Sequence, residues 1–451
     1  MAEKKPNIRF KGFEEEWEDK TLGSMGETTS GVGFPIQEQG GKSGIPFFKV
    51  SDMNTIGNER EMTASNNYVS SVQIEKNNWK PIQELPAIFF AKIGAALLHN
   101  RKRLIKKPFL LDNNTMAYSM NNKEGDFFLS LFETINLPKY AQTGALPSYG
   151  ETDIKAIEVK VPTICEQQKI GEFFKQLDEL IGAKEQELEK LRQIKLALLD
   201  KMFPSDNQED INRGGYKSLI YGVLQNNSQL VVTSPTPNTP TIRFRGFTEP
   251  WENYNLRKLF DFSTPHYSHS RDKLTYDKTE VLNIHYGDIL ILFGDIVDAK
   301  KDKIPYIISA KADNYKASKL IDGDVIFADT AEDEACGKAI EIQNIANKTI
   351  VAGLHTFVGR PKKKFAPYFL GYYFNSYTFH DQLLPLMQGI KVLSVNKPAV
   401  EDTFIYYPTN KEEQRKIGDF FRSQDESIAN SQLQINKLKT IKQACLSQMF
   451  A

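Results

Sequence analysis

The residues best placed to do chemistry on this chain are its local runs of positive charge. Positions 92–107 hold six basic residues, Lys92, Arg101, Lys102, Arg103, Lys106 and Lys107, and no acidic one. A second group, Lys300, Lys301 and Lys303, is diluted by Asp302, and a third sits in Arg360-Pro361-Lys362-Lys363-Lys364. A phosphate backbone rewards such clusters by releasing its condensed counterions. Reading bases needs, in addition, amides, hydroxyls or ammonium groups at groove edges. Asn113, Asn114, Ser148, Tyr149 and Lys391 are of that kind and lie in polar loops flanked by Gly144, Gly150 and Gly389. Solvated faces and turn chemistry explain the same letters, so the charge pattern proposes a polyanion site without deciding it.

Other constellations imitate chemistry and lack a part of it. Gly40-Gly41-Lys42-Ser43-Gly44 has the look of a phosphate loop, but a Walker A loop needs glycine where this chain has Ile36, so a surface turn is expected. Asp153 with Glu158-Val159-Lys160 imitates the carboxylates and lysine of a metal-dependent nuclease, at too short a gap. His266 and His269 lack third and fourth zinc ligands nearby. No serine elbow, methyltransferase glycine loop or catalytic tetrapeptide is present, and the reading is a chain with no catalytic centre and no metal site.

Composition bounds the rest. Lysine plus arginine equals aspartate plus glutamate at 57 each, so any polyanion site must be a local patch. The three cysteines, Cys165, Cys336 and Cys445, form no C-x-x-C pair, which argues against a disulfide scaffold or zinc ribbon. With no signal-like start and no long apolar run, the expected location is the cytoplasm, away from membranes.

The elements that must position these residues come twice. IRFKGFEEEW, starting at Ile8, returns as IRFRGFTEPW from Ile242. EQQKIGEFFKQLDELI from Glu166 returns as EQRKIGDFFRSQDESI from Glu413, and KLRQIKLALLDKMF from Lys190 returns as KLKTIKQACLSQMF from Lys437. The intervening 18–165 and 252–412 do not align with each other. The order is opening motif, insert, helix, twice. A T-x-x-E capping box at Thr163 to Glu166, and again at Thr409 to Glu412, should start each helix. About forty residues at 1.5 Å each make a rod of roughly 60 Å.

Apolar positions on the two rods match one for one on a heptad: Ile181, Leu188, Leu191, Leu198 and Met202 against Ile428, Ile435, Leu438, Cys445 and Met449. Pairing of the rods follows, with Lys184, Lys195, Ser431 and Lys442 interrupting the seam. The heptads permit an antiparallel pair with a pseudo-two-fold axis but do not prove one. Inside the inserts, 87–91, 324–328, 281–284, 288–293 and 350–358 read as strands, and 129–135 and 368–377 as short helices. The expected fold is α+β: a globular domain (1–165), a helix (166–203), a polar extended connector (204–241) with one short helix near 216–224, a second globular domain (242–412) and a second helix (413–451).

With these residues in view, the chain resembles, over nearly its whole length, the specificity subunit of type I restriction-modification systems. The likeness rests on the duplicated P-T-x(2–3)-E-Q-x-K-I-G-x-F-F opening of a long helix and on Trp17 and Trp251 in the paired opening motifs. It rests also on phrases such as Ile88-Phe89-Phe90-Ala91-Lys92-Ile93-Gly94 and Gly323-Asp324-Val325-Ile326-Phe327-Ala328. The resemblance implies that each insert is a target recognition domain reading one half of an asymmetric bipartite double-stranded DNA target. It implies that the paired helices set the spacer and dock two methyltransferase subunits, which use S-adenosylmethionine on adenine. Two restriction subunits, using ATP and magnesium, would complete the complex, and this chain would bind none of those cofactors itself. The chain departs from the pattern in lacking a proline doublet before Glu166 and Glu413 and in its long connector. A coiled-coil adaptor or a stand-alone DNA-binding protein is the rival reading.

Overall fold

Ala87-Ile88-Phe89-Phe90-Ala91 is buried at every position, as a strand must be when both its faces are covered. A computed structural model describes residues 6–142, 146–204, 217–233 and 238–450. Gly144 and the connector stretches 205–216 and 234–237 lie outside the described residues. The chain divides into two compact units, 1–186 with 432–451, and 187–431.

In the first unit the strands are β1 (Glu18–Thr21), β2 (Gly26–Ser30), β3 (Ala87–Ala91), β4 (Lys102–Ile105) and β5 (Thr115–Met120), followed by helix α1 (Gly125–Thr134), strand β6 (Glu158–Val161) and the long helix α2 (Ile164–Lys201). The main sheet runs β2-β5-β3-β4, antiparallel throughout. Alternation sends Ile88 and Phe90 to one face, where Phe127, Phe128 and Phe132 of α1 cover them. Phe89 and Ala87 face the other side, packed with Phe48, Met53 and Phe109.

The second unit repeats the plan with other residues. The 217–233 segment holds α3 (Lys217–Asn226) and β7 (Leu230–Val232), which pairs with β8 (Ile242–Phe244). Next come β9 (Glu252–Asn255), β10 (Phe260–Asp261), β11 (Ile296–Asp298), β12 (Val325–Ala328), β13 (Thr330–Ala331), β14 (Ala339–Gln343) and β15 (Thr356–Pro361). After these lie α4 (Phe369–Phe374), β16 (Leu393–Ser394), β17 (Phe404–Tyr407) and the long helix α5 (Lys411–Met449). The main sheet is β10-β15-β12-β14-β11. Val325 and Phe327 join the core that α4 covers, whereas Ile326 and Ala328 pack with Leu282 and Ile284 of a second sheet.

The repeated opening motif acts as a clamp on the helix start. Arg9 grips Glu166 with two hydrogen bonds of 2.7 Å, and Arg243 grips Glu413 at 2.5 and 2.9 Å. Gly171 and Gly418 are the close approaches: a Cβ on the first would stand 2.7 Å from the Phe127 nitrogen, and on the second 2.7 Å from the Pro367 oxygen. The helix ends cross over. Phe450 meets Trp17 edge to face at 5.8 Å, and Phe203 meets Trp251 at 6.0 Å. Each unit thus holds one insert, the first half of that insert's own helix, and the last half of the other repeat's helix.

Within the first unit, Lys442 contacts Asp178 and Lys439 contacts Glu185, each at 2.7 Å. Positions fall along α5 as they rise along α2, so the helices are antiparallel. In the second unit Lys195 meets Asp425 at 2.5 Å and, further on, Phe203 stacks on Phe421 at 6.1 Å, in the same sense. Ile181, Leu188 and Ile435 are buried and Leu191, Ile428 and Leu438 half-buried. Leu198 and Met202 enter the second unit's core, while Met449 enters the first unit's, with Cys445 packed against it.

Several sequence expectations are corrected. Neither capping box forms as expected: Glu166 is turned to Arg9, and α5 starts a residue later, with Asn410 accepting from the Glu412 amide. Positions 288–293 are not a strand. Tyr286–Ile291 is a helix, capped by the His285 ring, with Ile289 and Phe293 inward and Ile291 81% exposed. The 350–358 run breaks into two strands at Gly353, and 368–377 shortens to α4. The connector is not simply extended, because Ile220, Val223, Leu224 and Leu230 are apolar enough to pack on the second unit's core. Its expected short helix is α3. By contacts, the boundaries between the two units fall inside both long helices.

Candidate nucleic-acid interface

The two ends of each main sheet differ in what they carry. In the first unit β3 ends at Ala91, opposite the start of β4 and the start of β5. This end brings together Lys92, Arg101, Asn113, Asn114 and Ser148. The Lys92 amide donates to the Asn114 carbonyl at 2.9 Å, the Tyr149 amide donates to the Lys92 carbonyl, and Ile93 bridges to Ser148. Asn113 and Asn114 are exposed; Lys92, Arg101 and Ser148 are half-buried. The Arg101 guanidinium donates to Asn54 Oδ1 at 2.6 Å. Exposed amides beside cations, on a rigid sheet end, can bridge phosphates and base edges.

Two residues expected at that surface belong to the interior. Lys102 is 5% exposed, and its ammonium donates to Asn100 Oδ1 and the Ile135 carbonyl. Burial pulls its pKa down to about 8, with Glu133 opposing. Tyr149 is 4% exposed and its hydroxyl donates to the Ala91 carbonyl; burial raises its pKa. Both are corrected from DNA contacts to core fasteners. Arg103 is spent inward as well, donating to the Asn58 and Lys102 carbonyls, and burial lowers its pKa. Lys106, paired with Glu61 at 3.0 Å, and Lys107 lie at the opposite end of β4.

In the second unit the basic residues gather at the opposite sheet end. Lys300, Lys301 and Lys303 follow β11, and Lys362, Lys363 and Lys364 follow β15; strand directions put both at the end where β12 begins. Lys300, Lys301, Lys303 and Lys364 are exposed. Lys362 donates to the Arg257 carbonyl at 2.9 Å, and Lys363 lies 4.1 Å over the Tyr407 ring and bonds its hydroxyl. Arg360 is not available: Asp324, itself 0% exposed, accepts from its Nε and Nη2 at 2.8 and 2.7 Å, which raises the guanidinium's pKa.

Lys391 stands at the other end, where β12 finishes. There β16 pairs with β13, and Gln388 bridges to Ser394 around a tight tip with Gly389 at φ +124°. The first unit has the same bridge between Gln142 and Ser148. Sequence reading missed the apolar members of these tips: Ile390 is 100% exposed, Val392 52% and Leu146 58%. Three large apolar side chains left uncovered beside these two bridges are a signal the sequence carried at glycine-flanked positions.

The remaining candidates resolve into structure. Gly40 and Gly44 have positive φ in an exposed turn. Asp153 accepts from the Gly150 amide at 2.8 Å, at the head of the helix Glu151–Lys155, while Glu158 is exposed on β6. His269 contacts the Tyr315 hydroxyl at 3.2 Å. Among the described residues there is no cluster of three potential metal ligands, and no helix is long and apolar enough to cross a membrane.

The family model of the type I restriction modification DNA specificity domain matches residues 14–193. Among solved structures, the chain is similar to the S subunit of a type I restriction-modification system from M. genitalium, at 12% identity over 99% of both chains with a TM-score of 0.53. It is similar also to a chain from a structure describing complex assembly and conformational transition of the type I R-M system, at 14% identity over 97% of this chain and 98% of the other, TM-score 0.53. Curated proteins give no match.

Proposed function

We propose, from a specificity domain at 14–193 and a fold shared end to end with type I specificity subunits, that this chain is the DNA-recognition subunit of a type I restriction-modification complex. It reads sequence and leaves catalysis to its partners. Each unit's insert reads one half of a bipartite target in double-stranded DNA. Because 18–165 and 252–412 differ in sequence, the two halves differ, and the target is asymmetric. The antiparallel helices hold the halves at a set gap and carry two methyltransferase subunits; two restriction subunits join the full assembly in the cytoplasm. S-adenosylmethionine, ATP and magnesium belong to those subunits.

The observation that carries this reading is the corresponding end of the main sheet in each unit. It gathers Lys92, Arg101, Asn113, Asn114 and Ser148 in one and Lys391 with Ile390 in the other, each beside a Gln-to-Ser bridge. Polar groups there address phosphates and base edges, and the apolar tips suit thymine methyls or a base step. Lys106 and Lys107, like Lys300, Lys301, Lys303 and Lys364, lie at the other end and serve at most as long-range positive field.

The test is genome-wide mapping of N6-methyladenine in cells with a compatible methyltransferase subunit, with and without this chain. A new two-part asymmetric motif with a fixed gap, altered in one half only by Lys92→Ala with Asn114→Ala, is the expected outcome. No chain-dependent motif, with the methyltransferase active beside another specificity chain, would return the reading to an adaptor.

A further inference from the structure

The seam of two paired helices is an improbable place for lysine, because burying an ammonium is costly unless it is fully paired. Lys195 and Lys442 occupy one position of the repeat, 247 residues apart, and so do Asp178 and Asp425. The structure joins them crosswise. Lys195 of α2 bonds Asp425 of α5 at 2.5 Å, and Lys442 of α5 bonds Asp178 of α2 at 2.7 Å. Each ammonium has a second carboxylate from the insert of its unit: Asp295 at 2.7 Å for Lys195, and Glu133 at 2.7 Å for Lys442. The lysine side chains are 14% and 16% exposed.

The surroundings are built for these charges. Around Lys195, burial pulls the ammonium's pKa down but Asp295 and Asp425 outweigh it and leave it raised; Tyr372 donates to Asp425 at 2.7 Å and sets its ring 5.3 Å from the lysine. Around Lys442, Arg60 also reaches Asp178, at 3.2 Å, and Asp126. Glu133 comes from a helix and Asp295 from the residue before a strand. Two inserts that do not align therefore deliver a carboxylate to the same lysine of the repeat by different routes. A hydrophobic residue would fill the seam in any of several heptad registers, whereas a lysine needs its own acid.

We propose that the two Lys–Asp–carboxylate triads select the register of the antiparallel helices and tie it to the inserts, so that Lys195 and Lys442 determine the gap between the half-sites. The gap rests on the recognition reading above; the register does not. An insert transplanted into this chain must then bring its own carboxylate to that place.

The register is read without DNA by zero-length carbodiimide coupling of the full chain, since Lys439 and Glu185 touch at 2.7 Å. In wild type Lys439 should couple to Glu185 alone. In Lys195→Met/Lys442→Met, products of Lys439 with carboxylates one or two turns away, such as Asp178 or Glu189, should rise about tenfold or more, and methylation should appear at additional gap lengths with unchanged half-sites. Lys195→Arg/Lys442→Arg should retain one product and one gap. If the methionine variant does not fold, Glu133→Gln/Asp295→Asn decides, with the same spread expected. A single Lys439–Glu185 product and a single gap in the methionine variant, or in the amide variant where that one decides, overturns the proposal. Should wild type methylate no two-part motif while the variants spread the coupling, the recognition reading fails and the register assignment stands.

Discussion

Removing the guanidinium of Arg243 should unfold the second unit many degrees earlier than wild type. The pair it forms with Glu413 is two-pronged, at 2.5 and 2.9 Å, with side chains 3% and 1% exposed, and the same guanidinium donates to the Glu249 carbonyl at 2.7 Å. Arg243→Ala leaves a carboxylate with no counter-charge where water does not reach, a loss of about 3–5 kcal/mol. At about 2–4 °C per kcal/mol for a unit of this size, the midpoint should fall by about 6–20 °C. Differential scanning calorimetry resolves this, with Arg415→Ala as control: its partner Glu412 and it are each more than half exposed, so that loss should stay within about 1 kcal/mol. Replacing both members, Arg243→Met with Glu413→Leu, should be milder than either single change, since no orphan charge remains. A shift for Arg243→Ala no larger than the control's would refute the clamp.

Two further outcomes follow from the site. Lys102 titrates near 8 in the folded chain against an ordinary 10.5, so between those values the unfolded chain binds more protons and stability should rise with pH; Lys102→Met should lack the rise between pH 8 and 10 seen calorimetrically for the first unit, and equal slopes would sink the assignment. Ile390→Asp removes a side chain that touches nothing, so stability should change by less than about 0.5 kcal/mol while methylation at the motif falls and any altered base lies in the second unit's half alone; an unchanged methylation pattern would exclude the tip from recognition.

What the sequence disclosed depended on whether one pattern had one physical cause. The long helices were legible because heptads, an absence of proline and a second copy all agree. The strand at 87–91 was legible because an apolar run bounded by polar residues fits a two-sided core. The 288–293 run misled for the same reason: six largely apolar letters fit a strand, and only the His285 cap and the exposure of Ile291 reveal a helix. Charge was the least legible property. Arg103, Arg360 and Lys102 look like surface cations, but each has partners far along the chain, at Asn58, Asp324 and Ile135. The seam lysines failed in the opposite sense, appearing as interruptions because their acids stand more than two hundred residues away on the antiparallel partner.

The crossing of the helix ends carries a consequence for half of the chain. A fragment of residues 1–203 keeps its insert and all of α2 but loses Leu446, Met449 and Phe450, which pack with Trp17, Phe127 and Phe174. At about 1.5–3 kcal/mol per buried side chain, the lost packing is worth about 5–9 kcal/mol, close to the whole stability of a typical domain. The fragment carries a replacement on its own helix: Leu199, Met202 and Phe203 hold the repeat positions of Leu446, Met449 and Phe450, and Lys195 that of Lys442. That end is without its own site, since Trp251 is absent. A second copy can supply each missing end reciprocally, an isologous two-fold arrangement. The fragment should therefore sediment as a dimer whose thermal midpoint rises with concentration, and Phe203→Ala should weaken it. With a methyltransferase subunit, the dimer should modify a palindrome built from the first half-site twice. A monomer of full stability would show that Leu446, Met449 and Phe450 do not hold the first unit's core as described.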